Sequence, residues 1–244
     1  VLVGVVLPIR DVRAQELRRW RGSLEASGHA LFGAASSRLI SFTAGGGRAD
    51  SLVEVQSSIT LAYADATSDD GDRSVTARSY RVSLGIDQRP FARISSFVFG
   101  STEASLQQRV ANRLSGGAGA KLTLQRKGSD DVSASLAILA ERTRVLHPLV
   151  QTSATAVRTR WSLRVRFRRQ LNDVVHLTHV LFYQPAVNRL ARYTTESNTS
   201  LDVSLSKNVA LMSAFRSRYD SEARQRGARS NHDGQLLFGV RATL

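Results

Sequence analysis

Between Val157 and Arg168 the chain alternates without a break. Val157, Thr159, Trp161, Leu163, Val165 and Phe167 take one parity, and Arg158, Arg160, Ser162, Arg164, Arg166 and Arg168 take the other. Successive side chains of a strand point to opposite faces, so a strand here has one apolar face and one intensely cationic face. Wound as a helix, the same residues would scatter arginine around the circumference and bury nothing. The segment is read as a strand. Its cationic face restricts every possible fold, because each dry, unpaired arginine would cost several kcal/mol and so needs water or a partner.

The same period recurs along the chain. Val53, Val55, Ile59, Leu61 and Tyr63 alternate with polar residues, as do Val132, Ala134, Leu136, Ile138 and Ala140. So do Tyr193, Thr195, Thr199, Leu201, Val203 and Leu205, and the last segment, Leu236, Phe238, Val240, Ala242 and Leu244. Ala30, Phe32, Ile40 and Phe42 mark two shorter early strands, and five more are expected at 75–87, 91–103, 113–126, 174–184 and 209–219. That gives about twelve strands in residues 15–244, roughly 19 residues each with their connections, which suits membrane-spanning strands of ~9–11 residues.

The connections sort into two classes. Gly46-Gly47-Arg48, Gln88-Arg89-Pro90, Lys127-Gly128-Ser129-Asp130, Leu171-Asn172-Asp173 and Ser206-Lys207-Asn208 are rich in turn formers and are expected to be tight. Longer connections are expected between them, at Asp65–Arg73, Glu103–Asn112, Leu146–Thr155, Pro185–Ala191 and Ser221–His232, with one short exception near Ala34–Ser37. Short turns on one side and longer loops on the other are the pattern of an outer-membrane barrel with both termini on the periplasmic side. A soluble β-sandwich would also alternate, and the sequence does not say which face is packed inside.

Composition narrows the classes. The chain of 244 residues has no cysteine, which excludes a disulfide framework, a thiolate metal site and a cysteine nucleophile. Its formal charge of +14 is carried almost entirely by arginine, the lysines being Lys121, Lys127 and Lys207. A basic balance points to nucleic acid or anionic lipid, or to genomic composition alone. Val1–Ile9 is apolar but too short to cross a bilayer as a helix, and Val12-Arg13-Ala14 has the small-residue pattern of a signal-peptidase site. Residues 1–14 are therefore read as the tail of a signal peptide, against the alternative of a short buried strand or helix, and 15–244 as a single domain. No later segment approaches the ~18 apolar residues of a membrane helix. Nucleic-acid binding would explain the charge but not the export.

Gly116–Leu124 (GGAGAKLTL), Ser135–Arg144 (SLAILAERTR) and Asp220–Leu244 resemble the bacterial family of salt-induced outer-membrane proteins, a family of unknown function. The resemblance implies an outer-membrane β-barrel, with no established enzyme activity or ligand. The chain departs from that family at Phe32-Gly33-Ala34-Ala35-Ser36 and at Leu244, where barrels commonly end in an aromatic residue.

Motifs for chemistry are sparse. His176 and His179 are three apart on an expected strand, so they face opposite ways and cannot share a metal. Asp69-Asp70-Gly71-Asp72 resembles half of a calcium loop but lacks its terminal Glu, and Gly116-Gly117-Ala118-Gly119 lacks the Lys-Ser/Thr ending of a phosphate loop. Ser162 and His176 fall on adjacent expected strands and the same parity, with no flanking motif to mark a hydrolase.

The sequence therefore leads to an all-β chain forming a transmembrane, outer-membrane antiparallel β-barrel of about twelve strands in the bacterial outer membrane. It is expected to be monomeric or weakly oligomeric, non-enzymatic, and without cofactor or metal. Arg158, Arg160, Arg164, Arg166 and Arg168 are expected to line the lumen, because arginine facing lipid costs about 2–4 kcal/mol each at mid-bilayer. Glu141, Glu196 and Asp202 are expected to face them, with Arg192 as a closer partner for Glu196, and Glu25, Glu54 and Asp220 join the inward acids. Full pairing would plug the barrel; a surplus of arginine would make a passive pore favouring anionic solutes. The alternative is a non-conducting structural or adaptor barrel, and a barrel hydrolase ranks below both. Arg224, Arg226 and Arg229 form an expected outer rim that meets lipopolysaccharide phosphate, with Arg109, Arg113, Arg189 and Arg192 beside other outer connections. The expected partners are outer-membrane lipid, lipopolysaccharide and the barrel-assembly machinery during insertion, and no nucleic acid.

Overall fold

A computed structural model describes residues 20–31, 36–67, 72–145 and 155–244. The expected signal-peptide tail at 1–14, residues 34–35 of the first short turn, residues 69–71 of the aspartate-rich loop and the connection 146–154 lie outside the described residues. The strands are β1 Arg21–Leu31, β2 Ser36–Ala49, β3 Val53–Thr67, β4 Arg73–Gln88, β5 Ile94–Ser105 and β6 Val110–Lys127. They continue as β7 Asp130–Val145, β8 Thr155–Gln170, β9 Val175–Ala186, β10 Arg189–Ser204, β11 Val209–Asp220 and β12 His232–Thr243. Each pairs antiparallel with its neighbour in the chain, and β12 pairs with β1 to close the ring.

Closure decides which face is which. Leu136 lies opposite Leu163, and Ile138 opposite Trp161, across β7 and β8, and all four are exposed on the outside. Leu61, Leu84, Val98, Leu114, Leu181, Phe215 and Phe238 share that outer face on other strands. The sandwich rival fails, because the apolar parity is the outer one. Such a belt is what a membrane-spanning barrel presents to hydrocarbon. The other parity is turned inward, with serines on several strands, two small apolar clusters and most of the charge. Leu39, Ala64, Ala77, Met212, Ala214 and Leu237 form one cluster, Phe97, Phe99, Ala137 and Leu139 a second, and Val180 and Phe182 lie beside them.

The turns at the terminal end are mostly where turn chemistry puts them. Gly128 adopts φ 56° in the two-residue turn between β6 and β7, a conformation that suits glycine. Asn172 Oδ1 accepts the N–H groups of Val174 and Val175, and Ser206 Oγ those of Asn208 and Val209. One expected turn is wrong. Gly46, Gly47 and Arg48 are inside β2, paired with Ser57, Gln56 and Val55. The chain reverses at 50–52 instead, where Asp50 Oδ1 accepts N–H from Leu52 at 2.9 Å and Val53 at 2.8 Å. A short carboxylate that satisfies backbone donors makes the better reversal there.

At the opposite end, two connections expected to be long are short. Residues 106–109 join β5 to β6, and 187–188 alone join β9 to β10. Pro185, which suggested a break, stays within β9. A register shift between Arg189 and Tyr193 on β10 accommodates a residue with no N–H to donate. The fully described long excursion is 221–231, which contains one turn of 3-10 helix, Arg224–Arg226.

Candidate functional site

The interior of the barrel gathers the charged residues. Five of the six arginines of β8 have the inner parity, Arg169 being exposed on the other, but the five do different things. Arg160 is 1% exposed, its Nε 3.2 Å from Glu141 Oε2 on β7, and its Nη1 donates to the Gln184 carbonyl at 3.1 Å. Arg158 pairs with Glu222 from the excursion between β11 and β12. Arg164 sits over the Phe97 ring, 5.7 Å from its centre. Arg164 and Arg166 line a cavity of about 40 Å³ with Glu54, Asp87 and Lys121, where Lys121 pairs with Asp87. Arg168 is buried at the level of Asp131.

A second group, of which only Glu196 was expected to line the lumen, crosses it. Arg81 on β4 donates through Nη2 to Glu103 Oε2 on β5 at 2.6 Å and through Nη1 to Glu196 Oε1 on β10 at 2.9 Å. Glu103 also accepts Arg113 Nη1 from β6 at 2.7 Å and Arg218 Nη2 from β11 at 2.8 Å. In the closed ring β4 stands opposite β10, and β5 opposite β11. Both links therefore span the barrel's diameter and form an ionic septum. Desolvating so many charges is tolerable only because nearly every guanidinium fork finds a carboxylate. Writing out the inner parity of β4, β5 and β11 would have found Arg81, Glu103 and Arg218, though not their pairing across the bore.

Two expectations about these residues need correction. Arg113 is not at the outer rim; it is 2% exposed inside, bonded to Glu103 and to Thr143 Oγ1 at 3.2 Å. Glu196 does not pair with Arg192. Four residues along a strand span roughly 13 Å, so same-face neighbours that would meet on a helix stay apart. Arg192 instead approaches Glu222, Nε to Oε1 3.4 Å.

Toward the middle of the bore, Glu25 accepts Arg216 Nη2 at 3.0 Å and Arg241 Nη2 at 3.1 Å, and Arg241 Nη1 reaches Asp202 Oδ1 at 2.7 Å. The far mouth is covered by 221–231. Ala223 is completely buried, Arg226 donates through Nη2 to Asp220 Oδ2 at 2.6 Å, and Gln108 bonds to Asp233. Arg226 is thus turned inward from the expected lipopolysaccharide rim, and Arg224 and Arg229 stay exposed.

Three cavities lie in the bore among the described residues. One of about 130 Å³ lies against the septum, lined by Arg81, Glu103, Glu196 and Arg218. One of about 60 Å³ shares Thr60, Glu196, Asn198 and Arg216 with it, and shares Val180 with the 40 Å³ cavity at Arg164 and Arg166. They lie in series. Asn198 Oδ1 and Arg216 Nε, buried at the first junction, have no hydrogen-bond partner among the described residues, so this junction suits water.

Ser162 and His176 share the inner face but not a level. Gln184 Nε2 donates to Ser162 Oγ at 3.1 Å, whereas His176 pairs in register with Gln170. The separation along β9 is about 27 Å, too far for a nucleophile and its base. His179 faces outward, bonded through Nδ1 to Thr199 Oγ1 at 2.9 Å.

The fold is shared with solved barrels at very low sequence identity. An outer-membrane channel from Pseudomonas putida F1 superimposes with a TM-score of 0.51 and 10% identity, covering 96% of this chain and 99% of the other. The NanC porin gives a TM-score of 0.51 and 10% identity, covering 91% of this chain and 100% of the other. No curated protein matches the sequence. The family model for DUF481, proteins of unknown function, matches residues 41–243, and the chain belongs to that family.

Proposed function

We propose that this protein is a narrow channel of the bacterial outer membrane, passing water and small solutes along one side of an ionic septum, with anions favoured. The observation that carries the reading is the series of three cavities, each with charged side chains in its lining, inside a closed barrel. The apolar outer belt supports placement in a bilayer, and the shared fold with a porin and an outer-membrane channel agrees with it. Cavities of this size hold one or a few waters each, so larger solutes require the septum to part.

Selectivity rests on β8. Below the septum, Arg164, Arg166, Arg168 and Lys121 outnumber Glu54, Asp87 and Asp131, and Asp131 already receives Arg126 at 3.2 Å. Guanidinium stays ionised at any ordinary pH, and in a low-dielectric bore its field is weakly screened. The test is a planar-bilayer recording with a reversal potential across a salt gradient. Wild type should conduct weakly and prefer anions, and Arg164→Ser/Arg166→Ser/Arg168→Ser should lose that preference. Cation preference in the wild type would end the selectivity argument. The septum favours a second reading, a non-conducting structural barrel, and complete absence of conductance would establish it in place of the channel.

A further inference from the structure

On the outside of the barrel, near the end opposite the termini, the wall has a step. β4 runs on to Arg73, but β5 stops at Ser105, opposite Ser79, and the connection 106–109 turns back at Arg109 with φ 53°. Register shifts between Ala64 and Asp65 and between Glu103 and Ser105 flank the same place. Such irregularities bend strands and increase local twist. The result is an external groove of about 710 Å³, walled by Ile40, Phe42, Leu61, Tyr63, Tyr80 and Leu106, with Arg78 on its edge. Arg78 occupies the same cross-strand row as Ile40 and Tyr63, so it stands on the lipid side. Just beyond it, Arg38 and Arg73 stay about half exposed while both hold the buried Asp65, at 3.0 Å and 2.7 Å.

We propose that this groove binds one lipopolysaccharide molecule, with an acyl chain along the apolar wall and a lipid phosphate on Arg78. The chemistry is an alkyl chain joined to an anion. The groove supplies apolar surface along its length and an exposed guanidinium, which binds phosphate in a fork, at the end that faces outward in a barrel whose termini are periplasmic. Arg38 and Arg73, two cations sharing one carboxylate, bias the same corner toward a polyphosphorylated headgroup. This site is distinct from the rim at Arg224 and Arg229.

The inference rests on the outer-membrane placement, so the two are read separately. Fractionation of cells reports the placement, and absence from the outer membrane would refute that alone. The site is read by titrating the purified, detergent-solubilised barrel with rough lipopolysaccharide, following binding by native mass spectrometry. Arg78→Ser removes the phosphate fork, and Ala104→Phe fills the groove from a lipid-facing position. Each should weaken binding about tenfold, the loss expected for one charge-assisted contact or one displaced chain. Arg142→Ser/Arg144→Ser, on the exposed face of β7, should bind as wild type. Migration before and after boiling checks that every variant is folded. Undiminished binding by either groove variant, or equal loss in the β7 control, overturns the proposal. So does equally tight binding of phosphatidylglycerol by the wild type.

Discussion

Glu103 is the residue on which most of the interior charge converges. Three guanidinium groups, from Arg81, Arg113 and Arg218, share its two oxygens. Removing one member of a buried ionic network leaves the others desolvated without compensation, which typically costs about 3–5 kcal/mol. Glu103→Gln should therefore lower the temperature at which the folded barrel loses its fast gel migration. Arg224→Ser and Arg229→Ser, on exposed side chains, should leave it unchanged. The same measurement on all three tests whether the septum is structural. At this scale the sequence showed much: the arginine face of Val157–Arg168 was readable from parity. It did not show partners, because Arg81 and Glu196 are 115 residues apart, as are Glu103 and Arg218. Nothing local links them.

Among elements, the seam between β12 and β1 is the most demanding. A Cβ placed on Gly239 would lie 2.2 Å from the Ala26 carbonyl oxygen and 2.7 Å from Ser27 Cβ. Both obstacles belong to the strand that β12 must pair with, so neither can swing aside. Gly239→Val is expected to block closure, and the protein should lose its heat-modifiable migration. Gly28→Ala, with its obstacle at 2.5 Å across β1 and β2, should do so less severely. Asp50→Ala tests the reversal between β2 and β3. Losing a carboxylate that accepts two backbone N–H groups should cost about 1 kcal/mol without altering the fold. Strand positions were legible because period two is local. The Gly46-Gly47-Arg48 turn was not, since glycine occurs both in turns and where strands crowd.

For the molecule as a whole, the proposed channel implies that conductance is limited by the septum. Arg81→Ser/Glu196→Ser removes one diametric pair together, leaving no orphaned charge from that pair, and opens space against the 130 Å³ cavity. We expect several-fold higher single-channel conductance with anion preference retained, because Arg164, Arg166 and Arg168 are untouched. Replacing 223–229 by a short turn should add to the increase if the far mouth is in series with the septum. No change in either variant would mean that the bore is closed elsewhere, at Val180, Phe182 and Phe97.

The alternation of single residues, with arginine on one parity and aliphatic groups on the other, determined by itself that this chain forms strands, about how many, and that one face must be wet or paired. Those are consequences of backbone geometry and solvation, and they act over a few residues. Which parity faces outward was not contained in any one strand. Closure of β12 onto β1 decided it, since only a ring makes the apolar parity of all strands a single outer surface. The tertiary structure also divided the β8 ladder. Arg158 and Arg160 are committed to Glu222 and Glu141, while Arg164 and Arg166 face a cavity. Electrostatic pairing depends on distances across the bore, and chain order does not encode those distances until the barrel is closed.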